Sequence, residues 1–551
     1  MELRREVERS RESVWILSKM RGALNRLRWF LADRRNRHQI LRVEAYLGKI
    51  PHAVGEAGRP VLFFNTSTRI NRPSLNAAYS LLASWALRAR GVPVRYVVCQ
   101  RGLDPCILGT RRDNYAASPP CRACLRTSRD LFPADLVVPV PYQAEAAAEA
   151  DADLAGLSLA GLGRWEHGGL RLGELCLPGL RWALRRHHLP DDEPTRRLFR
   201  CYLRSAASLA RRFDSILDEH NPRALVVFNG IMYPEAVARA VAMRRGIPVI
   251  THEVGLRPYS AFFSHGQATF REVDLPSGYD LTPAENERLD AYLSDRFHGK
   301  FTMAGIRFWP EMEAPPNDVL ERMGKHGQTV VVFTNVIFDT SQVHANTLYS
   351  DMFAWLEDVR AAIAGHPDTF FVIRAHPDED RPWKESRESV AEWVRERSVL
   401  DLPNTAFFGP SDYISSYELI RRSKFVLVYN SSIGLEASIM GAPVLCAGRA
   451  RYTQVPTVFF PGTAVAYRDQ LRSFLQAPTI SVPPEFALNA RRFLDFELYH
   501  ASLDLSRFLG AYPSQPGMVT FRPFHAEGLL SSPELVQIEA GIKTGCRFAV
   551  D

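Results

Sequence analysis

Residues 424–448, KFVLVYNSSIGLEASIMGAPVLCAG, decide the fold. An unbroken apolar run ends at Tyr429 and predicts a strand buried on both faces, as in a parallel sheet. Asn430-Ser431-Ser432 make the turn. Gly434 to Met440 read as a short helix, and APVLCAG returns as the next strand. Ser431 and Ser432 are suited to cap that helix and to hydrogen-bond an anion held by its first N–H groups. Gly434 would admit a ligand close to the backbone, and Glu436 would hold a ribose hydroxyl or simply complete the cap. Without a ligand, the same residues describe a well-capped helix and nothing more.

Upstream, residues 370–380, FFVIRAHPDED, form a strand ending at His376, with Pro377 keeping the chain extended so that the imidazole points beyond the sheet. An imidazole there is able to donate to a phosphate oxygen or to protonate a leaving group near neutral pH. TVVVFTN (329–335), TAFFGP (405–410) and APVLCAG complete one strand–helix alternation over residues 326–483. A second occupies residues 51–270, with strands in PVLFFNTS, VRYVVCQ, DLVVPV, ALVVFNG and IPVITHEVG. The polar stretch 271–325 connects the two, and residues 484–551 read as a helical tail. The expected fold class is therefore α/β, with two Rossmann-like domains facing a central cleft.

Strand ends carry ligands in such sheets, and these ends are unusually polar: Asn65-Thr66-Ser67, Asn229-Gly230, His252-Glu253, Thr334-Asn335, His376-Pro377 and Asn430-Ser431-Ser432. One such end is ordinary turn chemistry; six across two sheets point to a shared cleft. On the first-domain side, Glu253 is the candidate to deprotonate an acceptor hydroxyl or to stabilise a cationic transition state, with His252 supporting it. A carboxylate merely paired with an arginine is the competing reading. His265 and Asp339 are weaker candidates. Asp151-Ala152-Asp153 has the form of a metal-binding Asp-x-Asp, but lies in the Ala-rich stretch 144–163 and is discounted.

The chain has 551 residues, 46% hydrophobic and 23% charged, which excludes wholesale disorder and suits two large domains. No apolar run reaches the ~18 residues of a membrane-spanning helix, and the charged start MELRREVERSRE is not a secretory signal, so a cytoplasmic protein is expected. The net charge of +7 lies wholly in residues 1–50, with 13 basic and 6 acidic residues; the remaining 501 residues hold 55 of each sign. A neutral body argues against nucleic acid as a partner. Residues 1–47 read as one basic helix with Val14, Trp15, Ile16, Leu17, Met20, Leu24, Leu27, Trp29, Phe30 and Leu31 among its arginines. Such a helix lies peripherally on an anionic membrane face, or else packs on its own domain.

Residues 329–452 resemble the capsule polysaccharide biosynthesis family, through TVVVFTNVIFD, VIRAHPDE, GPSDYISSYELI, VYNSSIGLEASIMGAPVLCAG and the trailing Arg451-Tyr452. Their His-Pro and Ser-Ser motifs are similar to those of bacterial sialyl- and polysialyltransferases. The resemblance implies a GT-B glycosyltransferase without a catalytic metal, its donor nucleotide in the second domain and its acceptor in the first. It implies that His376, Pro377, Ser431 and Ser432 bind the donor phosphate, with Glu436 nearby; Asn430, Gly434, Thr334 and Asn335 join them as candidates by their places at the strand and helix ends. The donor would be a nucleotide-sugar, often a CMP-sugar in that family, and the acceptor a surface polysaccharide or glycolipid. The acidic-acidic-Gly motif of sialyltransferases has no clear counterpart, which leaves the base open. Competing functions are a sugar-nucleotide epimerase or hydrolase of the same fold, a non-catalytic assembly scaffold, and a nucleic-acid-binding protein.

Four of the eight cysteines cluster in residues 98–126: Cys99, Cys106, Cys121 and Cys124, spaced C-x6-C-x14-C-x2-C. In a cytoplasmic chain this pattern reads as a structural four-cysteine metal site, with zinc ahead of an iron–sulfur cluster or unliganded redox thiols. Cys176, Cys201, Cys446 and Cys546 are scattered and read as packing residues.

Overall fold

The computed structural model describes residues 2–51, 53, 58–66, 72–115, 117–273, 275–298, 312–382, 384–515 and 517–550, with the backbone alone for 2–21 and 268. Ser67 and the side chains of Val14, Trp15, Ile16, Leu17 and Met20 fall outside the described residues.

The apolar runs of the first half become β1 (Val61–Phe64), β2 (Val94–Cys99), β3 (Val137–Val140), β4 (Ala224–Phe228) and β5 (Val249–Val254), followed by β6 (Ser260–His265). Those of the second half become β7 (Gln328–Phe333), β8 (Thr369–Arg374), β9 (Thr405–Phe408), β10 (Phe425–Val428) and β11 (Val444–Cys446). Three short strands close the chain: β12 (Leu503–Asp504), β13 (Leu509–Ala511) and β14 (Val519–Phe521).

The first sheet has the order β12-β6-β5-β4-β1-β2-β3, and the second β11-β10-β7-β8-β9. Strands β1 to β5 pair in parallel, as do all five strands of the second sheet. Parallel register aligns the carboxyl ends. Phe228 lies opposite His252, so Asn229 and Glu253 leave the first sheet on one edge. Val428 lies opposite Phe333, and Phe333 opposite Arg374, which gathers Asn430, Thr334 and His376 on one edge of the second.

Helices cover both faces, as near-continuous apolar strands require. Leu75–Ala89 is buried along nearly its whole length between the first sheet and the end of the chain. Its Trp85 is wholly inaccessible, stacks 5.3 Å from Phe521 and donates to Glu44 Oε1 at 2.8 Å. Burying a side chain of that kind contributes about 3 kcal/mol.

The tail differs from expectation. Residues 484–551 are not simply helical: after Pro484–Asp495 and a π-helical turn at Phe496–Ala501, the chain crosses back to the first domain. There β12 pairs antiparallel with β6, β13 and β14 form a hairpin, and the helix Pro533–Thr544 buries Leu535, Ile538 and Ile542 in the first core. Strands of two or three residues carry too little periodicity to be read in a sequence.

The first helix, Glu2–Leu47, settles over this hairpin in its second half. Asn36 bonds both Val519 O (3.1 Å) and Phe521 N (2.7 Å), and Ile40, Val43 and Leu47 enter the first core. Farther out, Leu24, Leu27, Phe30 and Leu31 are exposed. No described helix is long and apolar enough to cross a membrane. The Ala-rich stretch forms the helix Ala144–Leu154, packed on Glu193–His220, and its Asp151 pairs with Arg204. The connector helices Pro283–Phe297 and Asn317–Lys325 bury Leu289, Leu293, Val319 and Met323 in the second domain's core.

Candidate functional site

Between the carboxyl edges of the two sheets lies a cleft of about 600 Å³. Asn65, Asn229, Glu235, His252 and Glu253 line it from the first sheet, and Asp339, Arg381, Lys384 and Arg451 from the second domain.

Glu253 is held by its own strand end. Asn229, in the left-handed region at φ 60°, donates through Nδ2 to Glu253 Oε2 at 3.0 Å, and its Oδ1 accepts from Ile231 N at 2.9 Å. Left-handed backbone is tolerated by Asn, and the following Gly230 continues it at φ 77°. The carboxylate is thereby aimed into the cleft opposite Arg451. Burial lowers the Arg451 pKa, an effect that the charges of Glu253 and Asp339 oppose.

His252 also lines the cleft, but in another state. Its ring is 2% exposed between Phe228 and Phe263, and Nδ1 is buried without a partner. Burial lowers its pKa to about 3, so it stands as a neutral imidazole. A neutral ring packed between two aromatics is not a proton donor near neutral pH, and as the strand neighbour of Glu253 it projects to the opposite face. His265 lies away from this work, bonded to Cys546 O at 3.0 Å.

On the second sheet, His376 is half-buried and caps the single turn Pro377–Asp380, its Nδ1 accepting from Asp378 N at 3.1 Å. That bond places the ring proton on Nε2, the nitrogen left for a ligand. Burial lowers its pKa, and Asp378 and the cleft-lining Asp339 partly restore it. Asn430 N donates to Asn335 Oδ1 (3.3 Å) and Asn430 Oδ1 accepts from Gln342 (3.0 Å), tying the ends of β10 and β7 together. Thr334 spends its hydroxyl on Arg374 O at 3.3 Å. Neither these residues nor His376, Ser431 and Ser432 line the 600 Å³ cavity itself.

Three local expectations are corrected. Ser432 occupies the N-cap position of Ile433–Ile439 but makes no side-chain cap bond, and only Ser432 of the serine pair is exposed. Gly434 admits a side chain of the protein rather than a ligand: a Cβ there would lie 2.5 Å from Tyr452 Oη, whose hydroxyl donates to Ser431 O at 2.7 Å. Glu436 is 4% exposed, and both its oxygens are engaged, one by Arg296 at 2.7 Å and the other by Tyr417. It anchors the connector helix to the second sheet and holds no free oxygen toward a ribose.

The four clustered cysteines surround a separate small cavity of about 30 Å³. Among the described residues, two groups bring three metal-ligating atoms within 4.8 Å of one another, His187–His188–Asp351 and Glu285–Asp495–His500; the cysteines form no such group. His188 is an interdomain bridge, between Asp351 at 3.4 Å and Glu388, and those bonds raise its pKa to about 10. Arg381 and Lys384 were not singled out by sequence; Asn229 was read only as one of six polar strand ends, and Arg451 only as part of the family resemblance. Of these, only Asn229-Gly230 carried a local signal, a turn pair favouring positive φ at the end of a buried strand.

Two parallel α/β sheets meeting edge to edge across one cleft define the GT-B class of architecture. Residues 311–456 match the family model described as "Capsule polysaccharide biosynthesis protein", which bears out the family resemblance over the second domain. No curated protein matches the chain. Among solved structures, the chain is similar to the beta Kdo 2,4 transferase KpsC of Thermosulfurimonas dismutans, at 13% identity and TM-score 0.34 over 51% of this chain and 80% of that one. The beta Kdo 2,7 transferase KpsC of the same organism gives 15%, 0.33, 58% and 88%. UDP-GlcNAc 2-epimerase from Neisseria meningitidis, bound to UDP-GlcNAc, gives 11%, 0.26, 80% and 98%.

Proposed function

We propose that this chain is a GT-B glycosyltransferase that moves a sugar from a nucleotide-sugar to a polysaccharide or glycolipid acceptor. The observation that carries the reading is the polarity of the cleft: a carboxylate oriented by Asn229 on one wall, and the cations Arg451, Arg381 and Lys384 on the other. Glu253 takes the proton of the acceptor hydroxyl as its oxygen attacks the anomeric carbon. The bond from that carbon to the donor phosphate breaks, and the charge left on the nucleotide is met by the cationic wall and by His376 Nε2. Catalysis so built uses side chains throughout and calls for no catalytic metal.

The resemblance of residues 329–452 favours a CMP-sugar and supports Asn430, Ser431 and Ser432, which lie outside the 600 Å³ cavity, as further contacts of the nucleotide. The exposed Leu24, Leu27, Phe30 and Leu31, among arginines, would rest on an anionic membrane surface and bring a lipid-linked acceptor near.

Thermal shift with CMP, CDP, UMP, UDP, GDP and TDP tests the donor site, because a ligand bound only by the native state raises Tm. One nucleotide should stabilise the wild type and lose its effect in His376→Ala. Glu253→Gln should keep that shift and lose transfer by about 10²–10⁴-fold. No shift from any nucleotide refutes the reading.

A further inference from the structure

The loop between β2 and the helix Cys121–Leu131 brings together thiols that the cleft chemistry leaves unused. Cys99 ends β2, Cys106 precedes the turn Ile107–Gly109, and Cys121 and Cys124 occupy successive positions on one face of the helix's first turn. None of the four is in a disulfide, all are partly buried, and all line the same cavity of about 30 Å³. A fifth group shares it. Thr66 is 3% exposed, lines this cavity, and its Oγ1 is buried without a hydrogen-bond partner. A buried hydroxyl without a partner costs about 1–3 kcal/mol, so its position beside four thiols marks a place built for a polar occupant.

We infer that Cys99, Cys106, Cys121 and Cys124 form a tetrahedral zinc site, which fastens this loop to the first sheet. The volume is about that of one water in the liquid, which suits a single ion. Binding of the dication would form four S–Zn bonds, with the thiol protons passing to solvent.

No three of the sulfurs lie within 4.8 Å of one another, whereas Zn–S bonds of ~2.3 Å set an S···S edge of about 3.8 Å. Metal therefore draws the loop inward. Cys106, Ile107 and Leu108 also line the interdomain cleft, so the ion fixes one of its walls.

The test uses the full chain purified without chelator and desalted, with metal content read by mass spectrometry. About one zinc per chain is expected, released when a mercurial titrates the thiols, and reduced at least tenfold in the Cys121→Ser/Cys124→Ser variant. Should that variant not fold, cobalt(II) added to the stripped wild type should give a thiolate-to-cobalt charge-transfer band. Wild type that takes up neither zinc nor cobalt overturns the inference. So does zinc undiminished in the folded variant, which places the ion elsewhere, and so does protein carrying iron with acid-labile sulfide.

Discussion

Gly434→Ala is the substitution whose outcome the geometry fixes most closely. The added methyl would lie 2.5 Å from Tyr452 Oη and 3.0 Å from Val428 Cγ2, in a buried region with no slack. Overpacking of that kind costs about 1–3 kcal/mol. The clash also drives Tyr452 off Ser431 O, leaving a buried carbonyl and hydroxyl unpaired for a further ~1–3 kcal/mol. Replacing glycine inside a helix returns about 1 kcal/mol. The net loss should be about 3 kcal/mol. Tyr452→Phe alone should cost about 1 kcal/mol, the net worth of its hydrogen bond. The double variant should then resemble Tyr452→Phe, because the oxygen that collides is gone, giving a coupling of about 3 kcal/mol. Urea unfolding followed by the fluorescence of Trp355 and Trp393, both buried in the second domain, measures each corner of the cycle. Additive losses would refute the reasoning, since they would mean that Gly434 is glycine for some reason other than Tyr452.

Three further outcomes follow from buried charge. Glu436→Ala strands Arg296 without its carboxylate and should cost about 3–5 kcal/mol, while the nucleotide-induced thermal shift of the folded fraction stays unchanged. Glu379 is wholly buried and its pKa is raised to about 8, so its contribution is full below the unfolded value near 4.5 and is lost as pH rises through 8; Glu379→Gln should be the more stable protein above pH 8, by about 2 kcal/mol in urea melts, with the gap closing by pH 5. His188, raised to about 10, supports domain closure fully below its unfolded value near 6.5 and loses that support as pH rises through 10. The radius of gyration from X-ray scattering should therefore grow over that interval in wild type and stay flat in His188→Ala. The stability change from this half-exposed bridge should stay below about 1 kcal/mol.

What the sequence reveals here follows the range of each interaction. The strands of both sheets are apolar runs with polar ends, a local pattern, and so β1–β5 and β7–β11 were legible; of the six polar ends, those after β1, β4 and β5 line the cavity and those after β7, β8 and β10 do not. The job of Gly434 was not, because its cause, Tyr452, sits eighteen residues away and meets it only after β11 has folded beside β10. Glu436 is similar: a carboxylate three residues into a helix reads as capping or ligand chemistry, while Arg296, 140 residues earlier, decides the matter. Arg451 follows a loop with no periodicity, and only the meeting of two domains gives it Glu253 and Asp339 as electrostatic neighbours.

The return of the chain after Ala501 has a consequence for biosynthesis. Residues 503–550 supply β12, the hairpin that seats the first helix, and the helix that covers Leu75–Ala89, so the first domain is finished by residues made after the whole second sheet. While the ribosome holds those residues, the second domain has all its strands and is free to fold, whereas the first exposes the apolar face of a nearly complete sheet. The order of synthesis and the order of completion are thus reversed. Until residues 503–550 emerge, the unfinished first domain is the part of the nascent chain with most need of a chaperone.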